Sequence, residues 1–359
     1  MAYTTIDDPS AHFQATLYSG TGSAASVTNS GNSDLQPDFI WLKNRNGTRD
    51  HRLVDSTRGP TKELVSNGTA VEFNEATVGI TAFQSDGFAH GGGNGYGQSD
   101  ETYASWQWKA NGGKRTTFTE SGDNPAGGYQ ANTTAGFSLI DYTGTGATGT
   151  IAHGLGAKPD FWVIKNRAAS GWSWYAYHGS NTSAPETELL YMNNTDATLD
   201  TDAVWNDTAP TSSVFTVHTN GGVNANDNTY ICYLFTSIQG YSKFGSYTGN
   251  GDADGPFVYT GFKPAWLLYR NIDRVENWII VDHKRNPYNV VSGANLQANV
   301  ADAEATETRW GVDFTANGFK VRTDGSQNNA NNGDGETIIY MAFAESSIVT
   351  SGGVPCTAR

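Results

Sequence analysis

A nine-residue string that the chain writes three times sets the terms for its fold. From Pro159 it reads Pro-Asp-Phe-Trp-Val-Ile-Lys-Asn-Arg, from Pro37 Pro-Asp-Phe-Ile-Trp-Leu-Lys-Asn-Arg, and from Pro264, more loosely, Pro-Ala-Trp-Leu-Leu-Tyr-Arg-Asn. Proline can begin a strand but cannot sit inside one. The apolar run that follows is short, rich in branched and aromatic residues, and closed by a cation and Asn. It reads as a strand buried on both faces, not as a helix.

Four further landmarks keep register with this string. Tyr18-Ser-Gly-Thr-Gly returns at Tyr142 and, as Tyr-Thr-Gly-Asn-Gly, at Tyr247. A Leu-x-x-Asn recurs at Leu64/Asn67, Leu190/Asn193 and Leu296/Asn299. Phe88, Phe215 and Phe319 each lead into a Gly/Asn-rich loop, and a last strand opens at Thr102, Thr229 and Thr337. The first-to-second offsets run from 122 to 127 residues and the second-to-third from 104 to 108. Repeats of that length are domains and not solenoid units.

Few aliphatics beside 42 Gly, 10 Trp, 17 Tyr and 16 Phe describe all-β domains with long turns. The expected fold is therefore all-β: three tandem antiparallel β-sandwich domains of jelly-roll or lectin-like type. The expected boundaries are an N-terminal arm at 1–11, repeats at 12–110, 137–238 and 239–346, a linker at 111–136 and a tail at 347–359. The best helix candidate, Asn299 to Arg309, offers one or two turns at most. A formal net charge of −14 argues against nucleic acid and acidic membranes as partners. The sequence has no long apolar run and no secretory leader pattern at its start. Cys232 and Cys356 fit two lone thiols better than a disulfide.

Motifs for chemistry are sparse. Gly144-Thr-Gly-Ala-Thr-Gly149 matches G-x-G-x-x-G, but two glycines and Pro159 follow where a dinucleotide site needs a helix, so a turn is expected. The seven histidines show no zinc spacing, and no metal or cofactor is expected. Asp252–Gly255 and Asn331–Glu336 read as solvated acidic turns, although short loops of this kind can also hold Ca²⁺. Asp55 and Asp282 align after short strands, yet no carboxylate pair, nucleophile elbow or metal motif accompanies them, so no catalytic residue is expected. In Trp172-Ser-Trp-Tyr-Ala-Tyr177, Trp172, Trp174 and Tyr177 are glycan-binding candidates, because aromatic faces stack on sugar C–H surfaces. The competing reading is that these rings face a sandwich core.

A sandwich strand with one wet face alternates in polarity. The thrice-written strand does not. Phe39/Trp41, Phe161/Val163 and Trp266/Leu268 serve one face; Ile40, Leu42, Trp162, Ile164, Leu267 and Tyr269 serve the other. Both need cover, from a long loop of the same domain, a neighbouring repeat or another subunit of a homo-oligomer; inter-repeat or inter-subunit cover is expected for at least one copy, and the second set is the candidate assembly interface.

The opening Met-Ala-Tyr-Thr-Thr-Ile-Asp-Asp-Pro-Ser, Leu35-Gln-Pro-Asp38, Asp55-Ser-Thr-Arg-Gly59, Trp106-Gln-Trp-Lys-Ala110 and Ala131-Asn-Thr-Thr-Ala-Gly-Phe137 resemble tail-fibre-like virion proteins of marine bacteriophages. The likeness spans most of residues 1–240, and the third repeat diverges. It implies repeated concanavalin-like sandwich domains, location in the virion, and a structural or adhesive role. Other tail or capsid proteins and a host surface glycan are the implied partners, with no established catalytic residues. A capsid decoration or head-spike protein is the alternative, and a sandwich-fold polysaccharide hydrolase the alternative of another class.

Overall fold

The computed structural model describes residues 3–289, 293–322 and 330–355. It is all-β, with antiparallel sheets throughout. Three large sheets share one order of strands. An opening strand (Phe13–Ser19, Phe137–Thr143, Ser242–Thr248) pairs with a closing strand (Thr102–Trp108, Thr229–Phe235, Thr337–Ser347). The closing strand pairs with the repeated strand (Phe39–Asn44, Phe161–Asn166, Phe262–Asn271), and that with a following strand (Arg52–Asp55, Trp174–His178, Ile279–Asp282). Two short strands complete the far edge of each sheet. A small sheet packs on one face of each large one, carrying Val27 and Phe88, Ile151 and Phe215, or Val258 and Phe319.

Residues 111–136 are more than a linker. Thr116–Phe118 and Ala126–Asn132 form strands that add to the opening-strand edge of the second large sheet. Their Gly-rich sequence hides them, because Gly127 and Gly128 lie where a Cβ would strike neighbouring atoms at 2.2 and 2.5 Å. Likewise Asn299–Arg309 is not an α-helix: Ala305–Glu307 is a strand and Thr308–Trp310 a single 3₁₀ turn.

Each recurring landmark has a mechanical use. Tyr18, Tyr142 and Tyr247 donate their hydroxyls to Tyr96 O, Val223 O and Asn331 O. The first glycine after each tyrosine leaves no room for a Cβ, which would lie 2.1–2.3 Å from a facing carbonyl oxygen, and the second has φ of 64–75°. The G-x-G-x-x-G match thus lies between two strands, and no helix follows it. Asn67, Asn193 and Asn299 accept from the backbone N–H of His51, Trp174 and Trp278 at 2.8–3.0 Å, tying the start of each following strand to the next turn. Asn44 and Asn166 each accept from two N–H groups of the turn after the repeated strand.

The three large sheets do not stand apart. Their outer faces meet in one shared core that contains Phe39, Trp41, Trp106 and Trp108 of the first repeat. Phe161, Val163, Tyr233 and Phe235 come from the second, and Trp266, Leu268, Met341 and Phe343 from the third. Phe39 stacks on Tyr233 at 4.2 Å, Trp108 meets Trp266 edge-on at 5.5 Å, and Phe161 stacks on Phe244 at 6.1 Å. In the first two repeats the strand lacks alternation because each of its faces lines a different core, and in the third both faces belong to one continuous core.

This corrects the expected interface. Ile40 and Leu42 pack with Val27, Ile80 and Phe88 inside the first sandwich. Trp162 and Ile164 pack with Ile151, Phe215 and Tyr177 inside the second. Leu267 and Tyr269 lie on the corresponding face of the third strand, and Tyr269 donates to Trp310 O at 2.9 Å. The assembly face is the opposite one, and neighbouring repeats of the same chain cover it.

Candidate functional site

The chemistry-bearing side chains gather at the seams between repeats, and they do so cyclically. The cation near the end of each repeated strand reaches into the preceding repeat of the cycle. Lys43 Nζ donates to Ala301 O at 3.1 Å, Lys165 Nζ to Thr69 O at 3.2 Å, and Arg270 Nη1 to Tyr191 O at 2.9 Å. Burial lowers both lysines to about 8. Beside them Glu304 N–H donates to Arg45 O, Glu72 N–H to Arg167 O and Thr198 N–H to Ile272 O. Arg45 pairs with Glu304 at 2.6 Å and Arg167 with Glu72 at 2.8 Å. A third set repeats the direction: His51 Nε2 donates to Gln297 O, Trp174 Nε1 to Val65 O and Trp278 Nε1 to Tyr191 O, at 2.8–3.0 Å. The first repeat binds the third, the second the first, and the third the second. The chain is a covalently joined pseudo-threefold ring.

The aspartates that a hydrolase reading would need belong to the same seams. Asp55 accepts from Tyr233 OH at 2.9 Å and Asp282 from Trp106 Nε1 at 3.0 Å, each across a seam. Both are fully buried, and both carry an arginine three residues on, with Arg58 and Arg285 at 2.5 Å. Each arginine also donates to a backbone carbonyl, Leu53 O or Ile280 O, at 2.9 Å. Burial alone would raise the Asp282 carboxyl, but the Arg285 guanidinium overrides it and holds it below the usual carboxylate range. In the second repeat the position is His178. Its partner across the seam would be Met341, the counterpart of Tyr233 and Trp106, and a thioether cannot donate as those groups do. His178 instead donates to Tyr340 O at 3.1 Å.

The aromatic stretch of the middle repeat is split between two cores. Trp174 is fully buried in the shared core, bonded to Val65 O. Tyr177 stacks on Trp162 at 3.8 Å inside its own sandwich. Trp172 is half-buried beside Gly221, and its carbonyl accepts from Lys165 Nζ at 2.5 Å. Successive strand residues point to opposite faces, so Trp174 and Tyr177 cannot form one sugar platform. Of the three candidate rings only Trp172 keeps any exposure, and Trp174 and Tyr177 are buried.

Sequence reading missed a surface feature of the third repeat. Phe257 and Tyr259 are each 48% exposed on one face of the strand Phe257–Tyr259, with Lys243 Nζ 5.6 Å from the Tyr259 ring centroid. The corresponding positions are Ser26 and Thr28 in the first repeat and Thr150 and Ala152 in the second, so comparing the copies singles the pair out. The acidic turn nearby is held by its own backbone: Asn250 accepts from Asp252 N–H and Asp252 from Asp254 N–H. Among the described residues no three His, Cys, Asp or Glu side chains gather as a metal site would require. Cys232 is a buried thiol, and Cys356 lies outside the described residues.

The fold defines a class first: an all-β protein whose sandwich repeats close on a common core. The chain belongs to the family described as Domain of unknown function (DUF7483), which matches residues 8–347 and so spans all three large sheets in one unit. Neither the curated proteins nor the solved structures include a match to it.

Proposed function

We propose that the chain is a non-enzymatic structural protein of a virus particle, a tail-associated appendage that contacts host surface glycan. The observation that carries the structural part is the use of Asp55, Asp282 and their arginines. The carboxylates best placed by sequence for catalysis are buried in cross-seam latches, where a substrate has no access. The buried chemistry of the chain holds three repeats together.

The likeness of residues 1–240 to tail-fibre-like proteins supports placement in a virion. The exposed Phe257 and Tyr259 support glycan contact, since two rings on one strand face with a flanking ammonium suit a hydroxylated, partly apolar ligand. A shallow surface of this kind gains avidity from many copies on one particle.

Immunogold labelling of purified particles tests the placement. Label on the tail is expected; label on the head moves the protein to a decoration role, and its absence from particles sinks the virion reading. For glycan contact, Phe257→Ala with Tyr259→Ala is expected to abolish binding to host-surface polysaccharide without lowering the melting temperature. Release of reducing ends by the purified chain would return the hydrolase reading.

A further inference from the structure

The three seams differ in what lies along the opening strand. Asp38 N–H donates to Trp108 O, while Lys109 N–H donates to His12 O. This fixes the parity: Phe13, Ala15 and Leu17 turn their backbone N–H and C=O away from the closing strand. In the middle repeat the matching residues Phe137, Leu139 and Asp141 pair with Asn132, Gln130 and Gly128 of the strand Ala126–Asn132. Gln130 is buried there and crosses the seam to the first repeat, donating to Thr57 Oγ1 at 2.7 Å and accepting from Ser56 Oγ at 3.3 Å.

Along Phe13–Ser19 no second strand pairs among the described residues. A groove of about 190 Å³ runs there instead, with Phe13, Gln14 and Ala15 on one wall and His283, Lys284 and Glu345 on the other. Phe39 faces Asp55 in its sheet as Trp266 faces Asp282, so His283 and Lys284 are the counterparts of Ser56 and Thr57. The groove is the place that Ala126–Asn132 fills one seam away.

The geometry points to a strand-docking site: the groove takes an extended segment of a second protein, which pairs with Phe13 and Ala15 and presents a carboxylate to Lys284. The internal precedent sets the backbone pairing, and the change from the Thr57 hydroxyl to the Lys284 ammonium sets the charge. The acids of the groove already have partners. Asp8 accepts from Ser10 Oγ and Ser33 Oγ at 2.6 and 2.7 Å, and Glu345 lies 3.3 Å from Lys263. Lys284 Nζ has a 3.4 Å contact with Ser30 Oγ. This site does not depend on the virion reading.

The probe is a synthetic peptide of residues 124–134, Asn-Pro-Ala-Gly-Gly-Tyr-Gln-Ala-Asn-Thr-Thr, carrying Q130E or Q130K. Each is titrated into the intact chain by fluorescence anisotropy, with amide exchange of the Phe13–Ser19 segment followed in parallel. The Q130E peptide is expected to bind at least tenfold more tightly than the Q130K peptide and to slow exchange in that segment. Lys284→Glu, on the groove wall, is expected to reverse the preference. Ala15→Pro, which removes an N–H that the closing strand does not use, is expected to abolish binding. Equal binding of the two peptides, or unchanged exchange at saturation, overturns the proposal. Self-association of the chain that Ala15→Pro removes also overturns it, by assigning the groove to a second copy.

Discussion

His51 and His178 show how single side chains make the seams sensitive to pH. Each donates from Nε2 to a carbonyl of the third repeat, Gln297 O or Tyr340 O. Each Nδ1 accepts, from Trp41 Nε1 at 2.9 Å or Ser180 N–H at 3.1 Å. A ring doing both is neutral, and a second proton must displace the donor at Nδ1. Burial pushes His178 down from 6.5 to about 4, and His51 well below its ordinary value. Between those limits the unfolded chain binds more protons than the folded one. The stability from neutral His178 is therefore present above pH 6.5 and lost as pH falls toward 4. His178→Gln keeps a donor for Tyr340 O without a titrating ring. Urea unfolding at pH 7 and at pH 4 should show the native chain losing about 1–3 kcal/mol more than the variant. Identical losses would mean that the seam does not respond to this ring. Glu63 titrates in the opposite sense, since burial raises its carboxyl to about 7, and comparing chains that differ only at position 178 cancels its contribution.

At the scale of the strand, the question is which core each face serves. Phe161 and Trp162 are neighbours on one strand, yet Phe161 meets Phe244 of the third repeat while Trp162 stacks on Tyr177 of its own. Truncating either ring to Ala should cost about 3–5 kcal/mol, so stability alone does not separate them. A double-mutant cycle does: Phe161→Ala and Phe244→Ala should couple by at least about 0.5 kcal/mol, while Trp162→Ala and Phe244→Ala should add. Coupling in the second pair instead would reverse the faces. The sequence made the strand, its copies and its two-sided burial legible, because composition and spacing carry those. It could not show which face was which, since apolar residues occupy both. Nor could it show what Asp55 and Asp282 bond, because their partners Tyr233 and Trp106 lie more than 170 residues away in sequence.

For the whole molecule, the shared core makes the repeats interdependent. Phe13, Trp106, Trp108, Phe161 and Phe235 of the first two repeats all pack on rings of the third, at centroid distances of 5.3–6.3 Å. Leaving a large apolar side chain in water forgoes about 1.5–3 kcal/mol. Five such rings come to roughly 8–15 kcal/mol, the size of the whole stability of a typical domain. The arm adds to the closure, since Ile6 is buried in the shared core and Thr4 donates to Gln239 O at 2.8 Å across the seam between first and third repeats. The intact chain should therefore melt in a single calorimetric transition despite its three sandwiches. A chain cut after Thr236 should lose its native melt and aggregate, because the cut exposes the aromatic faces that the third repeat covers. Were that fragment a monomer melting within a few degrees of the intact protein, the sandwiches would be independent domains and the ring only a way of arranging them.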